Sequence, residues 1–143
     1  MTGRTPTRFL AIDLGSKRTG IAVGDSITRA AMPLKVLNIA CGPLLLQAIA
    51  DVVHEHTPDA LVIGLPLNMD GSDGPAAREA RTFAAQIQER FALPVHLQDE
   101  RLTSFAADDR MARTGRTRGE KKELRDALAA AIMLEDFLRA LPA

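Results

Sequence analysis

Short apolar runs along the chain predict five β-strands. The first two runs are joined by the glycine-containing turn Gly15–Thr19, which is typical of a hairpin. The fourth run, DALVIGL, is continuously apolar, as expected for a strand that is buried on both faces. The predicted strands cover residues 8–14, 20–24, 32–37, 59–65 and 94–98.

Between and after these runs, the apolar positions recur with a helical period. The first predicted helix lies in GPLLLQAIADVVHEH, with apolar positions at Leu45, Ile49, Val52, Val53 and His56. The second has Pro75 at a first helical position, followed by one stripe: Ala76, Ala80, Phe83, Ala84, Ile87 and Phe91. A further helix is predicted from about Thr103, an exposed loop over 113–122, and a long, mostly buried helix over 123–141.

This order of elements predicts an α/β fold with a mixed five-stranded sheet flanked by helices. Right-handed crossovers would make strands 8–14, 59–65 and 94–98 parallel neighbours. The length of 143 residues fits one domain over 1–143, with residues 1–7 expected to be a disordered N-terminus.

Composition narrows the class of protein. The single cysteine, Cys41, excludes an internal disulfide and fits a reducing compartment. The opening residues lack the apolar segment of a signal peptide, and no apolar run approaches the roughly 20 residues of a membrane span. We therefore expect a cytoplasmic protein with no membrane partner.

Acidic residues collect where the predicted parallel strands end. Asp13 lies at the end of the first strand, and Glu100 lies just past the end of the last. In open parallel sheets, ligands bind beyond the carboxyl ends of the strands. Asp126 falls on the apolar face of the last helix, in register with Ala130 and Met133, where a lone carboxylate needs a partner.

A divalent cation would let these three carboxylates share one site. Clustered carboxylates repel one another, and Mg²⁺ or Mn²⁺ prefers oxygen ligands of this kind. Such ions can activate water and stabilise the leaving oxygen of a phosphodiester. The alternative is three unrelated carboxylates, each paired locally, with Arg101 and Arg125 available as partners.

Positive charge is concentrated in one segment, although the whole chain has a formal net charge of zero. Between Arg110 and Arg125, seven basic residues stand against two acidic ones, a local charge of +5. Beside a metal site, this segment would attract phosphates and make binding salt-dependent. The alternative is a solvated helix end.

Four motifs, in order, resemble the YqgF family of ribonuclease H-like proteins. They are AIDLGSKRTGIAVGD, VIGLPLNMDGSDGP, DERLTS and the final KK…DALAAAIML helix, and the resemblance extends from Phe9 to Leu138. Members are described as nucleases for pre-16S ribosomal RNA or as Holliday junction resolvase-like enzymes. The resemblance implies a ribonuclease H-like fold and a divalent-metal site.

Carried over by motif, the resemblance implies that Asp13, Glu100 and Asp126 are the catalytic and metal-binding acids. It implies a metal-dependent endonuclease that matures the 5′ end of pre-16S rRNA in a small-subunit precursor. The expected substrate-binding residues are Lys17, Arg18, Arg101, Arg116, Arg118, Lys121 and Lys122.

Two other readings of the function remain open. One is a DNA junction resolvase, which would need two active sites on a dimer, and the chain could be a monomer or a homodimer. The other is a nucleic-acid-binding factor that does not cleave. A Walker-type phosphate loop is excluded, because Ile21 and Ala22 stand where it needs Lys and Ser or Thr.

Overall fold

The computed structural model of the protein describes residues 5–100 and 118–142, and the side chains of 118–123 lie outside that description. Five strands and three helices alternate in the predicted order. They are β1 (Arg8–Leu14), β2 (Thr19–Asp25), β3 (Ala31–Leu37), α1 (Pro43–His56), β4 (Ala60–Leu65), α2 (Pro75–Phe91), β5 (Val95–Asp99) and α3 (Arg118–Arg139).

The strands form one mixed sheet in the order β3-β2-β1-β4-β5. The pairs β1–β2 and β2–β3 are antiparallel, as a hairpin and its extension require. The pairs β1–β4 and β4–β5 are parallel. The predicted mixed sheet and its three parallel neighbours are therefore confirmed, and the ends of β1, β4 and β5 meet at one edge.

One face of the sheet packs large aliphatic side chains against α1 and α2. Leu10 and Ile12 of β1 lie in this core, together with Leu61 and Ile63 of β4. From the helices, Leu45, Ile49, Phe83 and Ile87 are fully buried against them. Side chains alternate along a strand, so this face takes every second residue of β1 and β4.

The other face packs smaller side chains against α3. Phe9 and Ala11 of β1 and Ala22 of β2 contact Ala130 and Leu134 of the helix. Gly20 and Gly24 belong to the same alternation as Ala22 along β2. A β-carbon on Gly20 would collide with the backbone of Asp126, so the absence of a side chain lets α3 lie directly on the strand.

Three details of the sequence reading need correction. The segment 118–122, predicted as loop, is the start of α3, because Gly119 does not break the helix among helix-forming Glu and Lys residues. Ala76 is exposed and Ala77 is buried instead, one position around α2. Thr7 exchanges two hydrogen bonds with Ser26, so the expected N-terminal disorder does not extend to it.

Two further predicted elements cannot be compared with the structure. The helix expected from about Thr103 and most of the predicted loop fall outside the described residues. Among the described helices, none combines the length and apolar character needed to cross a bilayer.

Candidate active site

Asp13 is placed by the alternation of β1. Phe9 and Ala11 face α3, so Asp13, two residues further on, faces the same side near the end of the strand. Asp13 pairs across the hairpin with Gly20, the residue that lies against the backbone of Asp126. The strand therefore delivers a carboxylate to the point where α3 crosses the sheet.

Glu100 reaches the same place from β5, the strand that flanks β4 on the side away from β1. It follows the last residue of β5, and its backbone N–H donates to the Leu65 carbonyl at 3.3 Å. Its carboxylate occupies the space that a side chain on Gly64 would fill. Gly64 thus makes room for a carboxylate above the central parallel strand.

Asp126 completes the group from α3. It precedes the buried run Ala127–Leu134, on the part of the helix that touches β2. The side chain of Asp126 is 22% exposed. Its Oδ2 atom is buried and has no hydrogen-bond partner.

A cleft of about 430 Å³ joins the three acids. Its walls come from the β1–β2 turn, from the residues after β4, and from α3. Besides the acids, the lining includes Lys17, Arg18 and Arg125. The predicted acids and two of the predicted substrate-binding cations therefore line one cleft.

The carboxyl groups of Asp13 and Glu100 are hydrogen-bonded to each other. Burial, followed by the charge of Asp13 and this hydrogen bond, raises the pKa of Glu100 to about 10. Burial likewise raises the pKa of Asp13, although the hydrogen bond from Glu100 opposes the rise. The metal-free pair therefore holds a proton at neutral pH, with Glu100 as donor and Asp13 as acceptor.

Asp126 has a different partner. The Arg18 Nε atom lies 2.9 Å from Asp126 Oδ2. The pair is close enough for a strong charge contact, but Oδ2 accepts no hydrogen bond of good geometry. The ion-pair partner that the structure gives Asp126 is therefore Arg18 of the β1–β2 turn; of the two cations that the sequence offered as partners, Arg125 lines the same cleft and Arg101 lies outside the described residues.

A family model described as "RuvX: Holliday junction resolvase" matches residues 7–140. The chain belongs to this family. It is 42% identical over 138 residues to a protein of Azotobacter vinelandii named "Putative pre-16S rRNA nuclease", covering 96% of this chain and 97% of that one. A Pseudomonas putida protein of the same name is 43% identical over 133 residues, covering 92% and 94%.

Two solved structures share the fold. Thermus thermophilus RuvC in complex with a Holliday junction substrate aligns with a TM-score of 0.55 at 16% identity, over 94% of both chains. Fowlpox virus resolvase with Holliday junction DNA aligns with a TM-score of 0.62 at 11% identity, over 95% of this chain and 99% of that one. The ribonuclease H-like fold implied by the sequence motifs is confirmed.

The donor atoms in the cleft fit a hard divalent cation. Glu100 Oε2 and Asp126 Oδ2 are buried oxygens without hydrogen-bond partners, which is costly unless a cation approaches them. As they stand, no three His, Cys, Asp or Glu side chains in the described part of the chain form a metal-binding group. A proton bridges Asp13 and Glu100, and a guanidinium accompanies Asp126, so positive charge already occupies the cluster.

The other predicted cations are only partly placed by the structure. Arg101 and Arg116 lie outside the described residues, and Arg118, Lys121 and Lys122 lie on the first turns of α3. Lys17 is exposed at the tip of the β1–β2 turn.

Sequence reasoning missed Gly20 and Gly64, which make the carboxylate cluster sterically possible. Gly20 begins one predicted strand and Gly64 lies within another, and a glycine in a strand is a recognised sign of close approach by another group. That signal was available in the sequence. The identity of the approaching group, the α3 backbone in one case and the Glu100 carboxylate in the other, required the structure.

Proposed function

We propose that this protein is a metal-dependent endonuclease that hydrolyses phosphodiester bonds in structured RNA, with precursor 16S rRNA as its substrate. The observation that carries the proposal is the convergence of Asp13, Glu100 and Asp126 on one cleft edged by Lys17 and Arg18. The names of the relatives with more than 40% identity support the choice of substrate.

Asp13, Glu100 and Asp126 are the residues that would hold the cation, Mg²⁺ or Mn²⁺. When bound, it supplies an activated water and offsets negative charge on the phosphate. The carboxylates must first lose the shared proton, so Glu100 releases its proton when the site is loaded.

The cationic side chains act on the substrate. Lys17 and Arg18 are carried by a turn whose ends are fixed in the β1–β2 hairpin. Both line the cleft beside the acids, so they can hold a phosphate next to the carboxylates. The basic residues that begin α3, with those between Arg110 and Arg116, add a local field that attracts the nucleic-acid backbone. We expect substrate binding to weaken steeply with salt.

Cleavage of branched DNA is the second candidate. The family description and the RuvC and poxvirus structures, both with Holliday junctions, favour it. Two strands must be cut in a junction, so this activity requires a homodimer with two clefts. Cleavage of RNA does not require two clefts and is compatible with a monomer or a homodimer.

We place the RNA-cleaving protein in the cytoplasm, where it acts on the small-subunit precursor.

Side-by-side cleavage assays decide between these functions. The substrates are an RNA that spans the 5′ end of precursor 16S rRNA and a four-way DNA junction, at one salt concentration with Mg²⁺ or Mn²⁺. We expect defined cuts in the RNA by the parent protein and loss of cutting by Asp126→Asn. Asp136→Asn is the matched control, since Asp136 lies on the same helix and its side chain is 52% exposed.

The outcomes separate the alternatives. Preferential cutting of the junction would overturn the RNA assignment and keep the nuclease. Binding of both substrates without cleavage in either metal would overturn the nuclease itself. Equal loss of cutting in Asp126→Asn and Asp136→Asn would show that the helix, and not the carboxylate in the cleft, is responsible.

A further inference from the structure

Arg18 is held in place by the turn that carries it. The backbone N–H of Gly15 donates to the Arg18 carbonyl at 2.9 Å, and that carbonyl fills the space where a β-carbon on Gly15 would lie. The turn is therefore tight, and the start of the Arg18 side chain has a defined position at the mouth of the cleft.

The guanidinium is directed to one acid of the cluster. Its Nε atom lies 2.9 Å from Asp126 Oδ2, with the two side chains 32% and 22% exposed. Because Oδ2 is buried and accepts no hydrogen bond, the contact leaves this oxygen electrostatically paired but without directional bonding. Such an oxygen can exchange one cation for another without breaking a hydrogen bond.

The neighbouring acids are balanced by other means. Asp13 and Glu100 share a proton, and the charge of Arg125, which also lines the cleft, partly offsets the burial that raises the pKa of Asp13. The guanidinium of Arg18 is thus the cation in direct contact with Asp126 among the described side chains. A divalent ion that takes Oδ2 of Asp126 as a ligand competes with Arg18 for this oxygen.

We propose that Arg18 is an internal counter-ion that holds Asp126 in the metal-free protein and gives it up when a divalent cation binds. This inference rests on the proposed function and adds a positioning residue to it. Arg18 keeps the third carboxylate aimed into the cleft, at the cost of competing with the metal for that carboxylate.

The test is calorimetric titration of Mn²⁺ into the metal-free full-length protein. Arg18→Gln removes the competing charge, so its Mn²⁺ affinity should rise by roughly fivefold or more, the effect of one unit charge at contact distance in a watery cleft. Lys17→Gln is the matched control: it removes an exposed charge from the same turn and should change the affinity less. A residue with a merely structural role would lower the affinity or leave it unchanged.

A second measurement uses the unaltered protein and does not depend on the variant folding. The NMR signal of the Arg18 Nε–H should move during a Mg²⁺ titration and stop moving when the site is saturated. A signal that stays in place at saturation would overturn the inference. So would equal Mn²⁺ affinities in the parent, Arg18→Gln and Lys17→Gln.

These results also separate the inference from the proposed function. If the parent protein binds Mn²⁺ and Arg18→Gln binds it equally well, the counter-ion role is wrong and the metal site stands. If the parent protein binds neither Mn²⁺ nor Mg²⁺, the metal-dependent function and the counter-ion role are both wrong.

Discussion

The two faces of the sheet differ in the size and the polarity of the side chains that they bring together. On the face covered by α1 and α2, large apolar side chains such as Leu61, Ile63 and Phe83 fill the core, and the buried Thr19 donates its hydroxyl to the Ile39 carbonyl. On the face covered by α3, glycine and alanine let the helix backbone rest on β2, and the sheet edge beyond it carries Asp13. The second face is the one that brings three carboxylates to a single cleft.

The difference shows how a small domain can separate stability from chemistry. Buried aliphatic area on the first face stabilises the fold by the hydrophobic effect. On the second face, small side chains stand in place of large aliphatic ones, so the helix backbone lies close to the strands. A carboxylate on the helix can reach carboxylates on the strands only if the backbones approach closely. Substitutions on the two faces should therefore have different consequences.

The largest expected effect on stability comes from the aliphatic face. Leu61→Ala leaves a cavity between β4 and the helices and should lower the free energy of unfolding by about 2–5 kcal/mol. Its cleavage rate per folded molecule should stay near that of the parent, because Leu61 faces away from the cleft. Urea denaturation and cleavage assays check the two parts. A large loss of cleavage by folded Leu61→Ala would mean that the faces are not independent.

Gly64→Ala should show the reverse pattern. The new methyl group meets the end of the Glu100 side chain, which can swing away at little cost to folding. The displaced carboxylate leaves Asp13, and a misplaced catalytic group costs about a hundredfold in rate. Cleavage assays and melting curves, run on the same preparation, measure this split. A variant that melts far below the parent but cleaves normally would contradict the role given to Gly64.

Gly20→Ala is expected to lower both the stability and the cleavage rate, so it separates these two properties less than Leu61→Ala or Gly64→Ala does. Its methyl group meets the backbone of α3 at Asp126, which cannot move without shifting the helix. Overpacking of this kind costs about 1–3 kcal/mol. The matched control is Ala22→Gly, which removes a methyl group from the next position on the same face. Should Gly20→Ala unfold at the same urea concentration as the parent, α3 lies further from β2 than described.

A pH dependence of the stability of the metal-free protein is also expected. Folded Glu100 keeps its proton up to a pKa of about 10, whereas the ordinary value is 4.5, so the folded state binds more protons between these values. The free energy of unfolding should therefore fall as pH rises through that window. Melting temperatures in EDTA at about pH 6 and about pH 9 should decline in the parent and be flatter in Glu100→Gln. A parent protein that grows more stable over this range would contradict the shared proton.

The sequence was sufficient to predict the topology of the sheet and the proximity of Asp13 to Glu100. Strand order and crossover handedness determine where the strand ends lie. The periodicity of α3 also placed Asp126 on its buried side. Besides the groups that approach Gly20 and Gly64, the structure was needed for the start of α3 at Arg118, where helix-forming residues outweigh Gly119, and for the pairing of Arg18 with Asp126. That pairing depends on the tertiary distance between a turn and a helix, which no local pattern encodes.

The most direct test of the carboxylate site is Asp13→Asn, studied by Mn²⁺ titration, cleavage and metal-free melting. The amide keeps the size of the side chain but removes the charge that holds a hard cation, so cleavage should fall by orders of magnitude and Mn²⁺ affinity with it. The metal-free melting temperature should stay level or rise, because the amide removes a buried charge and its repulsion from Asp126, while its oxygen can still accept the hydrogen bond from Glu100. Asp51→Asn, at an exposed carboxylate on α1, is the control and should match the parent. Normal cleavage by Asp13→Asn, or a clearly lower melting temperature, would show that Asp13 is a structural residue and that the metal-site account is wrong.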